Sequence, residues 1–228
     1  MSFLYFFMLA NRCLRLKFEL VGWYLKRQPV HLSLVQFYTS PVNKLLHNLQ
    51  SIHPLSESCR TAMAALLKTK VLPKKEHLLR EGQICQSIYF IEEGLLRCYY
   101  HQGDQEVCSW FMREGDVMIS VESFFQQKQS YEAIQALEDS LLYYIRYDEL
   151  QKLYQQFPEF NFVARVLTEK YYCLSEQRLY AMRMMRSRER YQFLLTHYPE
   201  LVLRVPAKYI ASYLGLTEVT LSKIKSQR

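Results

Sequence analysis

No two cysteines in this sequence form a C-x-x-C pair, and no two histidines stand at zinc-ligand spacing. Structural zinc and iron–sulfur centres need clustered donors of that kind, so neither is expected and no cofactor is identified. The six cysteines, at 13, 59, 85, 98, 108 and 173, are scattered. That pattern points to buried free thiols in a reducing compartment, and so to a cytoplasmic protein. A phosphate-binding glycine loop is missing, and so is a Gly-x-Ser-x-Gly nucleophile elbow. The six histidines (31, 47, 53, 77, 101, 197) are dispersed, and Glu92-Glu93 falls in an expected turn, where solvated charge is the ordinary reading. Catalysis is therefore not expected. No apolar run reaches the roughly 18 residues of a membrane-spanning helix. Internal repeats and low-complexity tracts are also missing.

The amino-terminal stretch is unusual. Phe3-Leu-Tyr-Phe-Phe-Met-Leu-Ala is apolar and is followed, not preceded, by Arg12, Arg15 and Lys17. A secretory signal has the opposite polarity and a small-residue cleavage site. Residues 1–41 are read as a leader outside the fold, from a start assigned too far upstream. A peripheral membrane anchor is the alternative.

Organised patterning begins near residue 42. Residues 44–52 carry Leu45, Leu46 and Leu49 on one helical side, and Ser56 is placed to N-cap a second helix with Ala62, Met63, Leu66 and Leu67 inward. The segment 70–76 reads as a break. Glycine is scarce, six in 228 residues, yet four of the six (82, 94, 103, 115) fall in one block at gaps of twelve, nine and twelve. Short strand-like runs lie between them, at 77–80, 88–91, 95–100, 106–111 and 117–120, with two more at 131–137 and 140–146. Evenly spaced strands with glycine turns predict an antiparallel β-roll. Helical patterning returns at 148–157 and continues as a long helix over 158–185. At heptad spacing this helix carries Val163, Leu167, Lys170, Leu174, Gln177, Ala181 and Met184, a broken stripe that suits a dimer seam with polar register-setters. A helix packed on its own roll is the other reading. A helix over 188–197 follows, then a short strand over 201–205.

The last two dozen residues carry the sharpest signal. Ile210, Ala211 and Leu214 share one helical face, Gly215 stops that helix, Leu216 plugs the turn, and Thr217 N-caps a second helix with Leu221 and Ile224 inward. Small Ala211 sits where two steeply crossed helices touch. This is a helix-turn-helix pattern. Residues 178–228 contain ten Lys/Arg against three Glu, a surplus of seven that equals the surplus of the whole chain. A basic field confined to the segment bearing the turn motif suits a phosphate backbone.

Order and residues together resemble the Crp/Fnr family of bacterial transcription regulators over about 42–228. The likeness is densest at Glu189-Arg-Tyr and across 204–224. It implies an α+β fold: a cyclic-nucleotide-binding-like β-roll domain over 42–157, a dimerisation helix over 158–185 and a helix-turn-helix DNA-binding domain over 186–228, with little of the chain left for a wing. It implies a homodimer on a near-palindromic operator, double-stranded DNA as partner, and RNA polymerase as a further partner. By this resemblance Glu218, Val219, Ser222 and Lys223 face base edges, while Lys208, Thr217, Thr220 and Lys225 face phosphate. In the roll, Glu122 of Val121-Glu-Ser-Phe-Phe-Gln-Gln-Lys matches the family's cassette glutamate. The position of the phosphate-binding arginine falls on Ser130, with Tyr131 next. Glu122, Ser130 and Tyr131 mark the expected ligand pocket, which takes a small-molecule effector other than cyclic AMP, or none. Val219, which offers only apolar contact, leaves open a second reading: a small-molecule sensor that has lost sequence-specific operator binding.

Overall fold

In the computed structural model, residues 42–227 are described. The leader expected over 1–41 lies outside them. Two helices, α1 (Val42–Ile52) and α2 (Glu57–Leu66), open the described chain. Ser56 caps α2 as expected, its hydroxyl accepting from the Cys59 N–H at 3.2 Å. Eight strands follow: β1 (Lys68–Leu72), β2 (His77–Leu79), β3 (Ser87–Glu93), β4 (Leu96–Gln102), β5 (Gln105–Met112), β6 (Val117–Met118), β7 (Ala133–Ala136) and β8 (Ser140–Arg146). Helix α3 (Val121–Gln126) interrupts them between β6 and β7. The rest is helical: α4 (Tyr147–Gln156), α5 (Pro158–Met184), α6 (Ser187–His197), α7 (Pro199–Arg204), α8 (Ala207–Tyr213) and α9 (Glu218–Ser226).

The strands form two antiparallel four-stranded sheets, ordered β1-β8-β3-β6 and β2-β7-β4-β5. One core takes Leu96, Cys98 and Ile134 from one sheet and Phe90, Leu142 and Ile145 from the other. Helices α1, α2, α4 and the start of α5 close it through Leu45, Met63, Leu153 and Val163.

Strand β4 shows why the molecule has a second core. Leu96, Arg97, Cys98 and Tyr99 are buried consecutively, so the strand is covered on both faces. The outer face of its sheet packs Tyr99, Cys108 and Phe111 against Tyr191, Ile210 and Leu214 of the C-terminal helices. From Lys44 onward the chain is accordingly one compact unit.

A bulge in β5 serves both cores. Cys98 pairs with Trp110 and the next residue, Tyr99, pairs with Cys108, leaving Ser109 extra. Cys108 and Phe111, an odd number of residues apart, thereby share the outer core. Ser109 and Trp110 line the interior of the roll.

Four expectations are corrected. The strand expected at 201–205 is helix α7, with Pro199 at its first turn, where a fixed φ and a missing N–H suit a helix start. The break expected over 70–76 lies partly in β1, held by pairing along its length with β8. The helix α3 was not anticipated, and it shortens the strand expected at 117–120 because Ser120 becomes its N-cap. The stripe on α5 divides: Val163 is fully buried and Leu167 packs on the same core, and Leu174, Gln177 and Ala181 line a small gap shared with α6 and α8, while Lys170 and Met184 are exposed. Besides Met184, α5 exposes apolar side chains outside the stripe, among them Tyr172 and Leu179, roughly half a turn from Val163.

Gly94, in the β3–β4 turn, has φ +103°, and a Cβ there would lie 2.2 Å from the Ser140 hydroxyl. Both the backbone conformation and the contact demand glycine. Gly94→Ala is expected to lower stability by about 2 kcal/mol or more, read as a shifted urea midpoint.

Candidate functional site

The turn between α8 and α9 is built from hydrogen bonds that only its own residues supply. Leu216 N–H donates to the Ala211 carbonyl at 2.9 Å and Gly215 N–H to Ser212 at 3.0 Å, the paired bonds of a Schellman stop. Gly215 has φ +64°, as this stop requires. The Thr217 hydroxyl then accepts from the Thr220 N–H at 3.1 Å and caps α9. Ile210, Ala211, Leu214 and Leu221 are buried beneath the crossing.

This arrangement leaves the outer side of α9 open. Glu218, Val219, Ser222 and Lys223 are all exposed, Val219 by 65%. Thr217 and Lys208 are exposed as well, while Thr220 and Lys225 are half-buried. The Thr217 and Thr220 hydroxyls share a 2.9 Å hydrogen bond, so both are engaged in the cap. Among the described residues no strand follows α9.

The basic surplus is smaller at the surface than the residue count implies. Arg204 reaches back to the roll, with hydrogen bonds to Glu114 at 2.7 and 2.9 Å and to Glu138 at 2.6 and 3.1 Å. Arg178 donates to the carbonyls of Tyr213 (2.9 Å) and Cys108 (3.3 Å), and stacks on the Tyr213 ring. Arg190 donates to Met182 and Met185 and so closes the end of α5. Arg113 on the roll pairs with Glu200.

The joint between roll and C-terminal helices also contains a buried cation. Arg97 is 1% exposed. Its guanidinium lies 4.0 Å from the ring centre of Tyr99 and 3.8 Å from that of Tyr209 on α8. It donates to Gln135 at 2.7 and 3.0 Å and pairs with Glu106 at 2.7 Å. Beside it, the Ser212 hydroxyl accepts from Cys108 N–H and donates to the Glu106 carbonyl, both at 2.9 Å. Helix α8 thus covers the open edge of β5, which would otherwise present unpaired backbone groups. The sequence reading missed this joint. The available signal was an arginine inside an otherwise apolar strand.

A second concave site lies within the roll. A cavity of about 510 Å³ runs between the sheets to the side of α5, lined mainly by apolar and aromatic side chains. Of the three residues expected to mark a ligand pocket, Tyr131 stands on its rim and 57% exposed. Glu122 is instead ion-paired with Lys128, and buried Ser130 shares a 2.9 Å hydrogen bond with Ser120 and donates to the Glu132 carbonyl. Deeper in, Cys98 Sγ donates to Glu132 Oε2 at 2.8 Å, and burial together with that carboxylate pushes the thiol pKa up. It is a neutral thiol with no nucleophilic poise.

Two sheets rolled around a chamber, one long helix and a capped helical turn define the class: a cyclic-nucleotide-binding-type fold with a C-terminal helix-turn-helix. Residues 69–157 match the family "cyclic nucleotide-binding domain". Solved structures agree over most of the chain. FixK2 from Bradyrhizobium japonicum is 23% identical, with 71% of this chain and 83% of that one covered and a TM-score of 0.61. The c-di-GMP responsive global regulator CLP from Xanthomonas campestris is 15% identical, with 75% and 91% covered and a TM-score of 0.62. A Eubacterium rectale protein described as a transcriptional regulator of the crp/fnr family is 15% identical, with 76% and 83% covered and a TM-score of 0.60. No curated protein sequence matches the chain. Residues 69–157 are thus similar to cyclic nucleotide-binding domains, and the chain has the fold of Crp/Fnr regulators.

Hydrogen bonds from Arg204 hold the Glu114 carboxyl down at about 2. A carboxyl so depressed contributes stability above its ordinary value of 4.5 and loses it as pH falls toward 2. Arg204→Met is expected to destabilise the protein near neutral pH in urea titrations. That deficit should shrink as pH falls through this window.

Proposed function

We propose that the protein is a cytoplasmic DNA-binding transcription regulator of the Crp/Fnr type, acting as a homodimer and carrying no catalytic activity. The observation that carries this reading is the open face of α9, held away from the core by the Schellman stop and the Thr217 cap. In this reading Glu218, Val219, Ser222 and Lys223 meet base edges in the major groove. Glu218 accepts from cytosine, Val219 packs on a thymine methyl and Lys223 donates to guanine. Lys208, Thr217, Thr220 and Lys225 hold the phosphates and set the register.

The exposed apolar residues of α5, including Tyr172, Leu179 and Met184, are the surface a second copy would cover. This surface keeps the exposed end of the stripe and takes the place of its inward-packed beginning as the proposed seam. Two copies would set their reading helices roughly 34 Å apart on a near-palindromic site. RNA polymerase is the further partner this reading allows. Among the described residues no helix is long and apolar enough to cross a membrane. The second reading, a sensor without sequence-specific operator binding, is favoured by Val219, which offers no hydrogen bond.

Selection from a randomised duplex library, followed by affinity measurement across a salt series, separates the two. A regulator is expected to enrich a two-fold sequence. Lys223→Ala should then weaken the selected site about tenfold, and Glu218→Ala should shift the preferred base at one position of each half-site. Lys225→Ala should weaken all sequences alike and reduce the salt slope by about one. Equal affinity for every duplex would support the sensor reading instead.

A further inference from the structure

The roll cavity is built for a ligand of a different charge class from the one its domain family is named after. At about 510 Å³ it falls within the range of small-molecule sites. Among the described residues lining it there is no lysine, arginine or histidine, and Glu132 is the one carboxylate. A cyclic nucleotide carries its negative charge on a phosphate, which needs bidentate or cationic partners once out of water. Ser130, where the family resemblance expects the arginine, is buried and occupied by Ser120 and the Glu132 backbone. Lys128, the nearest cation in sequence, is exposed and ion-paired with Glu122 outside the lining. The cyclic phosphate does not fit these residues.

What the cavity does offer is mainly apolar and aromatic surface with a few uncharged hydroxyls and one carboxylate. Trp110, Phe124 and Tyr143 supply flat walls. The Ser109 hydroxyl, placed in the wall by the β5 bulge, lies beside the Cys98 thiol and hydrogen-bonds with it. The Glu132 carboxylate, already accepting from Cys98, is an acceptor and a repellent for anions. Val121, Phe125 and Tyr131 are exposed around the cavity lining and form an apolar approach.

We infer that the roll binds an uncharged, largely apolar small molecule whose polar end donates to Glu132, and that it rejects cyclic nucleotides. The site is separate from the α9 face, so its occupancy is measured without DNA and survives failure of the regulator reading.

A matched pair of fluorescent probes tests it on the full chain: N-phenylnaphthylamine, neutral with an N–H donor, and its sulfonated counterpart anilinonaphthalene sulfonate, the same frame with a negative charge. The neutral probe is expected to bind saturably, one per chain, and at least about tenfold tighter than the sulfonate. Ala164→Trp, which places a large ring into the cavity from α5, should abolish that binding while circular dichroism stays unchanged. Glu132→Gln, which keeps shape and removes charge, should narrow the preference toward parity. Saturable calorimetric binding of cyclic AMP overturns the inference. So does equal affinity for both probes in the unsubstituted protein, or neutral-probe binding that Ala164→Trp leaves intact. If Ala164→Trp unfolds the chain, Met112→Trp, at a lining position on β5, takes its place with the same required loss.

Discussion

A single guanidinium joins the two halves of this molecule. Arg97 sits on a strand of the roll, but its charge is enclosed by a ring from each side, Tyr99 below and Tyr209 above, and by Gln135 and Glu106 at its edges. A buried charge with all its donors engaged adds little net stability over an apolar substitute. Losing one partner is far costlier, because the charge is then left without water or counterion. Helix α8 covers the guanidinium with Tyr209, so its departure would lose that ring and open Arg97 to water, while Glu106 and Gln135 on the roll stay with it. The second core, the Ser212 bridge to β5 and the Arg204 fork to Glu114 and Glu138 all lie around that point. Removing them in turn would loosen a joint; removing Tyr209 would expose its cause.

How legible was this beforehand? The local devices were. Gly215, Thr217 and the spacing of Ile210, Ala211 and Leu214 dictate the helical stop and restart without help from the rest of the chain, and Ser56 dictates the start of α2. The strand over 140–146 was legible too, because its alternation and length coincide with β8. What escaped was set by distant partners. Nothing near Arg97 in sequence announces Tyr209, and nothing near Arg204 announces two glutamates from the roll. Counting ten basic residues in the C-terminal segment overestimated the open field because several of them are spent on carbonyls and carboxylates. The heptad stripe on α5 is real, but period alone does not say whether a stripe faces a second copy or the chain's own roll. Here Val163 and Leu167 pack on the roll, whereas Lys170 and Met184 of the same stripe stay exposed. Residues near the cavity show the same limit. Tyr131 reaches the rim, whereas Ser109 and Cys98 acquire their positions from a bulge and a cross-strand register that short-range patterning does not encode.

Fold and chemistry separate in the roll. The strand order and the match over 69–157 belong to a domain type named for its ligand. A fold delivers a chamber; the side chains that line it decide what is soluble there. With apolar walls, one carboxylate and no cation among the described lining residues, this chamber keeps the architecture and reverses the electrostatic preference. The C-terminal end has the complementary character, with open polar side chains held on the capped helix α9.

The supernumerary residue of β5 has an evolutionary corollary. Because Ser109 shifts the alternation by one, the strand's two ends are out of phase, and each phase is matched to a different neighbour. Deleting that one residue would turn Cys108 and everything before it over to the wrong side at once. Descendants of this gene should thus tolerate length changes in the β4–β5 hairpin tip, around Gly103, far better than between Glu106 and Phe111, whatever substitutions accumulate there.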